Sequence, residues 1–212
     1  MKIFSLAILL FLASQVIAQT HLYENPKFDR IARNHKEIGI IPFKTTVTLR
    51  PKQMKDITPE QLDRMEVAEG ESIQSGMYSW FLKREKRGSL TVEVQSIAST
   101  NAKLKKAGIN PDNYEEYEPA EIAKILEVDA VVMGTFETNK PMSEGASIAL
   151  GAILGFWGNT NKAVINLFIY NAEDGDLLVN YNKSISGSVG SSTEDLINIL
   201  MRKASRRIAY TK

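Results

Sequence analysis

The sequence predicts an α/β or α+β domain, with a single mixed β-sheet flanked by helices. Three observations carry that prediction. Apolar runs rich in β-branched residues, at 38–43 and 129–136, have the near-continuous character of strands covered on both faces. Segments of helical periodicity with recognisable start signals lie between them. Late in the chain, two alternating segments, 164–170 and 177–181, meet around Asp174-Gly175, the pair that tight antiparallel hairpins favour. The expected order is strand, helix, strand, helices, strand, hairpin and a C-terminal helix.

The first 18 residues read as an export signal. Lys2 supplies the positive start, 3–12 is an apolar run broken only by Ser5, and Val16-Ile17-Ala18 fits cleavage before Gln19. That run is shorter than the ~20 residues a membrane-spanning helix needs. Residues 19–36 read as a lead-in arm or short helix, polar with scattered Leu22, Tyr23, Phe28 and Ile31. The domain proper is expected over 37–212. Its first strand should end at Pro42, which has no amide to donate, or have an unpaired side at that point.

Thr58-Pro59-Glu60-Gln61 combines a cap, a first-turn proline and a capping-box partner. The helix it opens should run towards Arg87 and stop at Gly88, either unbroken or split near Gly70. A strand at 90–94 and a helix at 97–107 closed by Gly108 follow. Glu118-Pro119-Ala120-Glu121 opens another helix, ending near Leu126. Ser192, with Asp195 three residues on, starts the last helix, whose core stripe is Leu196, Ile199, Leu200, Ala204 and Ile208.

Charge excludes some classes. The chain carries 26 Lys+Arg against 25 Asp+Glu, and Lys2 is the only charge in the leader, so the mature chain is neutral. A nucleic-acid binder would show a basic surplus. The clusters at 83–87 and 202–207 sit at helix ends, where they complement the helix dipole. No cysteine exists, so the protein has neither a disulfide nor a lipid-bearing residue and is not expected to be a lipoprotein.

No catalytic, cofactor or metal site is expected. The two histidines, His21 and His35, both lie in the lead-in and read as surface residues. No phosphate loop or dinucleotide fingerprint appears, and Gly187-Ser188-Val189-Gly190 has the wrong spacing for a nucleophile elbow. The acidic clusters at 114–118 and 173–176 read as helix-start and turn residues.

One segment stands apart. Residues 141–160 form an insertion between strands, and 146–158 is apolar and uncharged. Such connections are usually short and polar. Ser147, Gly151 and Gly155 fall four apart, a small-residue stripe along which a helix could pack closely. Ile148, Leu150, Ile153, Leu154, Phe156 and Trp157 fill the remaining faces. Three roles are open to it: packing on the domain's own sheet, an interface with a second copy or an envelope protein, and shallow insertion at a membrane surface with Trp157 at headgroup level.

Taken in order, the segments at 38–43, 69–72, 123–135 and 170–178 resemble a periplasmic domain with three known settings. They are the CsgG-type curli secretion channel subunits, the LpoB-type activators of penicillin-binding proteins, and the N-terminal domain of TolB. The resemblance spans about 37–212 and implies a mixed sheet flanked by helices, acting through protein–protein contacts in the periplasm. Two features depart from it. There is no cysteine to carry lipid, and the insertion is unlike the membrane strands of the channel subunits. Its Lys140-Pro141-Met142-Ser143-Glu144-Gly145 and Gly155-Phe156-Trp157-Gly158 segments instead resemble a set of exported proteins of unassigned role.

The expectation is therefore an exported, non-enzymatic cell-envelope protein, periplasmic or secreted, working by association with another envelope protein or with itself and without cofactor, metal or nucleic acid. Its rivals are a membrane-associated oligomeric subunit and a hydrolase of envelope polymers.

Overall fold

The computed structural model describes residues 20–49, 51–55, 57–139, 162–186, 193–206, 208, 210 and 211. The elements are β1 (Thr20–Glu24), α1 (Phe28–Ile31), β2 (Glu37–Ile40), β3 (Lys44–Val47), α2 (Pro51–Met54), α3 (Pro59–Glu85), β4 (Glu93–Val94), α4 (Ile97–Lys106), α5 (Pro119–Leu126), β5 (Ala130–Thr138), β6 (Lys162–Asn171), β7 (Leu177–Ser186) and α6 (Thr193–Ser205). The described strands form one seven-stranded sheet in the order β1-β7-β6-β5-β2-β4, with β3 also on β5. β2 pairs in parallel with β4 and β5, whereas β5, β6, β7 and β1 run antiparallel. This is the mixed sheet with flanking helices that the sequence predicts.

Helices cover both faces of the parallel half. On one face, Ile73, Met77 and Phe81 of α3 and Leu200, Met201 and Ala204 of α6 pack on Ile38, Ile40, Val132, Ile165, Leu167 and Ile169. On the other, Leu104 of α4 and Ile122, Ala123 and Leu126 of α5 pack on Ile41 and Val131. Each such aliphatic side chain, fully buried, contributes about 1.5–3 kcal/mol.

Local signals place several elements where the sequence puts them. The Thr58 hydroxyl accepts from the Gln61 amide, and the Gln61 side chain accepts from Thr58 N at 2.8 Å. Glu121 closes the matching box on Glu118. The hairpin turns at Gly175, whose φ of 74° suits glycine.

Two regions, the lead-in and 90–94, differ from expectation, and at 38–43 and in α3 the structure decides between alternatives the sequence left open. The lead-in contributes strand β1, which pairs with β7 throughout and is held there by Lys183, whose buried side chain donates to Thr20 Oγ1. β2 ends at Ile40, short of Pro42, and pairing with β5 resumes at Lys44. Ile40 pairs with Val132 and Lys44 with Thr135, so four steps along one strand oppose three along β5. That one-residue bulge carries the chain past Pro42 into β3. α3 is one unbroken helix through Gly70, because Gly70 is where it presses on the bulge. A Cβ there would lie 2.1 Å from the Phe43 carbonyl oxygen. The strand expected at 90–94 is only Glu93–Val94.

Candidate functional site

The residues that sequence reasoning nominated for contact, Ser147, Ile148, Leu150, Gly151, Ile153, Leu154, Gly155, Phe156 and Trp157, lie outside the described residues. Among the described residues, polar chemistry gathers in four places.

The first corrects the reading of His35 as a surface residue. His21 is exposed on β1, but His35 is half-buried at the amino end of β2. Its Nε2 lies 3.1 Å from Asn171 Oδ1 and its Nδ1 2.6 Å from the Tyr210 hydroxyl. Asn171 donates its amide to Asp174 Oδ1 at 2.7 Å, which leaves its Oδ1 as the acceptor. His35 therefore donates from Nε2 and accepts the Tyr210 O–H at Nδ1, which is the neutral ring. Burial lowers its pKa below the ordinary 6.5, overriding Asp129, Asp174 and Glu173, whose charges raise it. Burial likewise pushes the Tyr210 phenol upward, so it stays a donor. Tyr210 also meets Phe28 edge-on at 5.0 Å. Asp129 completes the cluster by accepting the amides of Lys36 at 2.6 Å and Glu37 at 3.0 Å. The cluster clamps the lead-in, the β6–β7 turn and Tyr210 together. It lies at the amino ends of parallel strands β2 and β5, opposite the end where open α/β sheets bind ligands.

The second lies at the carboxyl ends. Connections leave β2 and β5 in opposite directions, which in such sheets opens a ligand crevice. Here the bulge and β3 occupy that position, and Phe43 is fully buried between Gly70 and Gly134. A Cβ on Gly134 would come within 2.8 Å of the Phe43 ring and 2.0 Å of the Asn166 carbonyl oxygen. Buried Gln74 donates to the Ile40 carbonyl at 2.6 Å and to Asn101 at 2.8 Å, tying α3 and α4 to the bulge. Gln95 and Lys103 donate to the Leu126 carbonyl at the end of α5, at 2.8 and 2.6 Å. These side chains satisfy the backbone carbonyls of Ile40 and Leu126.

The third is a set of positive charges. The basic clusters read from sequence as separate helix ends meet through their described members at 83–87 and 202–206: Arg84 Nε donates to Ser205 Oγ at 3.1 Å. Burial, then Arg206 and Arg87, lower the Arg84 pKa. The fourth is the outer face of the antiparallel strands, where Asn182 donates to Asn166, Asn166 donates to Thr135 Oγ1 at 3.1 Å, and Phe168 stacks on Tyr170 at 6.1 Å.

Among the described residues, no group of three or more His, Asp or Glu is placed to hold a metal ion. No described helix is long and apolar enough to cross a membrane.

The fold and these clusters define an α+β sheet domain in which the half-buried His35 and the buried Gln74 and Gln95 side chains link one element to another. No protein-family model and no curated protein matches the chain. Among solved structures it is similar to the PelC dodecamer from Paraburkholderia phytofirmans, at 11% identity and a TM-score of 0.46 over 91% of this chain and 98% of that one. Lipoprotein GNA1162 from Neisseria meningitidis gives 14% identity and 0.46 over 82% and 96%. The LpoB C-terminal domain from Salmonella enterica gives 9% and 0.34 over 76% and 94%. At these scores the likenesses carry no argument about activity.

Proposed function

We propose that the chain is an exported, non-enzymatic protein of the cell envelope that acts by protein–protein association. The observation that carries this reading is the filled switch point. Where an open α/β sheet would present a ligand crevice, Phe43, Gly70, Gly134 and β3 leave packed core. The export signal at residues 1–18 and the uncharged stretch 146–158 support it from the sequence side, the latter as the contact surface. Fractionation followed by in-cell crosslinking tests it. The protein is expected in the periplasmic or secreted fraction, starting at Gln19, and in discrete crosslinked species. Those species should weaken in a folded double variant, Gly151→Leu with Gly155→Leu. Cytoplasmic retention, or a folded protein that yields no crosslinked species, would overturn the reading.

A further inference from the structure

The two edges of the sheet are finished differently. β4 is two residues long, and the segment just before it is covered by the end of the chain. The Thr91 amide donates to the Tyr210 carbonyl at 3.0 Å, and Leu90 bridges to Thr211. Short, covered edges are how folded proteins prevent strand addition. β1 carries none of those devices. It has five residues, without proline, lysine or bulge, all of them exposed, and Leu22 and Tyr23 are 43% and 47% accessible.

Register fixes which backbone groups β1 offers. The Asn25 amide donates to the Leu178 carbonyl at 2.8 Å, in step with the pairing of Glu24 with Val179. Inward and outward groups alternate along an antiparallel strand. His21 and Tyr23 therefore turn their N–H and C=O towards β7, and Thr20, Leu22 and Glu24 turn theirs away from the sheet. Side chains follow the same register. His21 and Tyr23 share a face with their partners Asn182 and Asn180, while Leu22 shares the opposite face with Tyr181.

We propose that β1 is a strand-addition edge whose occupant is β1 of a second copy of this chain, antiparallel about a twofold axis at Leu22. This deepens the association reading above and rests on it. In that register Leu22 faces its own copy, His21 faces the second copy's Tyr23, and Thr20 faces its Glu24. The outward groups of Thr20, Leu22 and Glu24 all find partners, apolar meets apolar on one face, and no like charges are opposed. A slip of one residue would set the inward-turned groups of His21 and Tyr23 against the new strand and lose the match. That self-complementarity is the argument for a second copy over a foreign strand.

Cysteine crosslinking tests it, because the native chain has no cysteine. Cα atoms of a hydrogen-bonded antiparallel pair lie ~5.5 Å apart, within disulfide reach. On mild oxidation of the mature protein, Leu22→Cys should form a covalent dimer at least ~10-fold faster than Leu82→Cys, whose site on α3 is 39% accessible. Light scattering should show the wild type dimerising with concentration. Leu22→Pro removes an outward amide and spares the ladder to β7, so it should weaken dimerisation at least ~10-fold in a protein that still folds. A wild type that stays monomeric, or a Leu22→Cys no faster than Leu82→Cys, overturns the proposal. A monomer that crosslinks to an envelope protein through position 22 also overturns it, while leaving the association reading in place.

Discussion

In the parallel half of the sheet, consecutive residues are buried: Ile38 through Ile41 on β2 and its bulge, and Ala130, Val131 and Val132 on β5. In the antiparallel half, burial alternates. Ala163, Ile165, Leu167 and Ile169 are inside, and Val164, Asn166, Phe168 and Tyr170 are half-exposed between them. α3 and α6 cover one face of both halves, whereas α4 and α5 reach the second face only over the parallel strands and Tyr170. The same sheet is thus a sealed core at one end and a surface at the other. Sensitivity to substitution should fall along it.

The largest effect is expected at the sealed end. Phe43→Ala empties a fully buried site whose walls are the backbone at Gly70 and Gly134. Collapse is restricted there, and about 3–5 kcal/mol should be lost, read as a lower urea midpoint with unchanged slope. A loss below about 1 kcal/mol would mean the bulge is not the rigid junction described.

A smaller effect is expected at His35, which joins the two halves from below. His35→Ala should cost about 1–2 kcal/mol near neutral pH through the hydrogen bonds it leaves unmade. The pH dependence sharpens the test. Because the folded pKa lies below 6.5, the unfolded chain takes up the proton first as pH falls. The stabilisation is fully present above about 6.5 and is lost progressively below it, until the folded form also protonates. Asp174 behaves in the same sense, lower on the pH scale. The Asp176 amide, then the Asn171 side chain, lower its pKa below 3.8, so its contribution fades only at more acid pH. Wild type and His35→Ala should differ least below pH 5, and a constant gap across pH 5–8 would remove the neutral-histidine clamp.

The smallest effect belongs to the open face. Asn182→Ala removes one rung of the Asn182–Asn166–Thr135 ladder, where water can take over the hydrogen bonds, and should shift stability by no more than about 0.5 kcal/mol. A large loss there would mean the open face is covered by another part of the chain or by a partner.

What the sequence made legible was local. The capping box at Thr58, the helix start at Glu118-Pro119, the Asp174-Gly175 turn and the apolar runs on β2 and β5 each depend on residues a few positions apart. β1 escaped because an exposed edge strand leaves no burial alternation to read. β3 escaped because the extra residue at the bulge breaks the period of two just after a proline. Gly70 reads as a helix weakness until the Phe43 carbonyl, far along the chain, explains it. His35 reads as a surface residue because its partners come from positions 129, 171 and 210. The nominated contact residues at 147–157 fall outside the described part of the fold, so their reading stands on sequence alone.

The pairing of β1 with β7 joins Thr20 to Lys183, and the His35 clamp reaches Tyr210, across separations of 163 and 175 residues. Both closures wait for the last stretch of polypeptide to arrive. Chains dominated by such distant contacts fold slowly, because loop closure must precede any gain from the contacts. A polypeptide emerging residue by residue therefore has no early way to finish this sheet. Under the export proposed above, that delay keeps the thread open for transport and leaves completion of the sheet to the far side of the membrane.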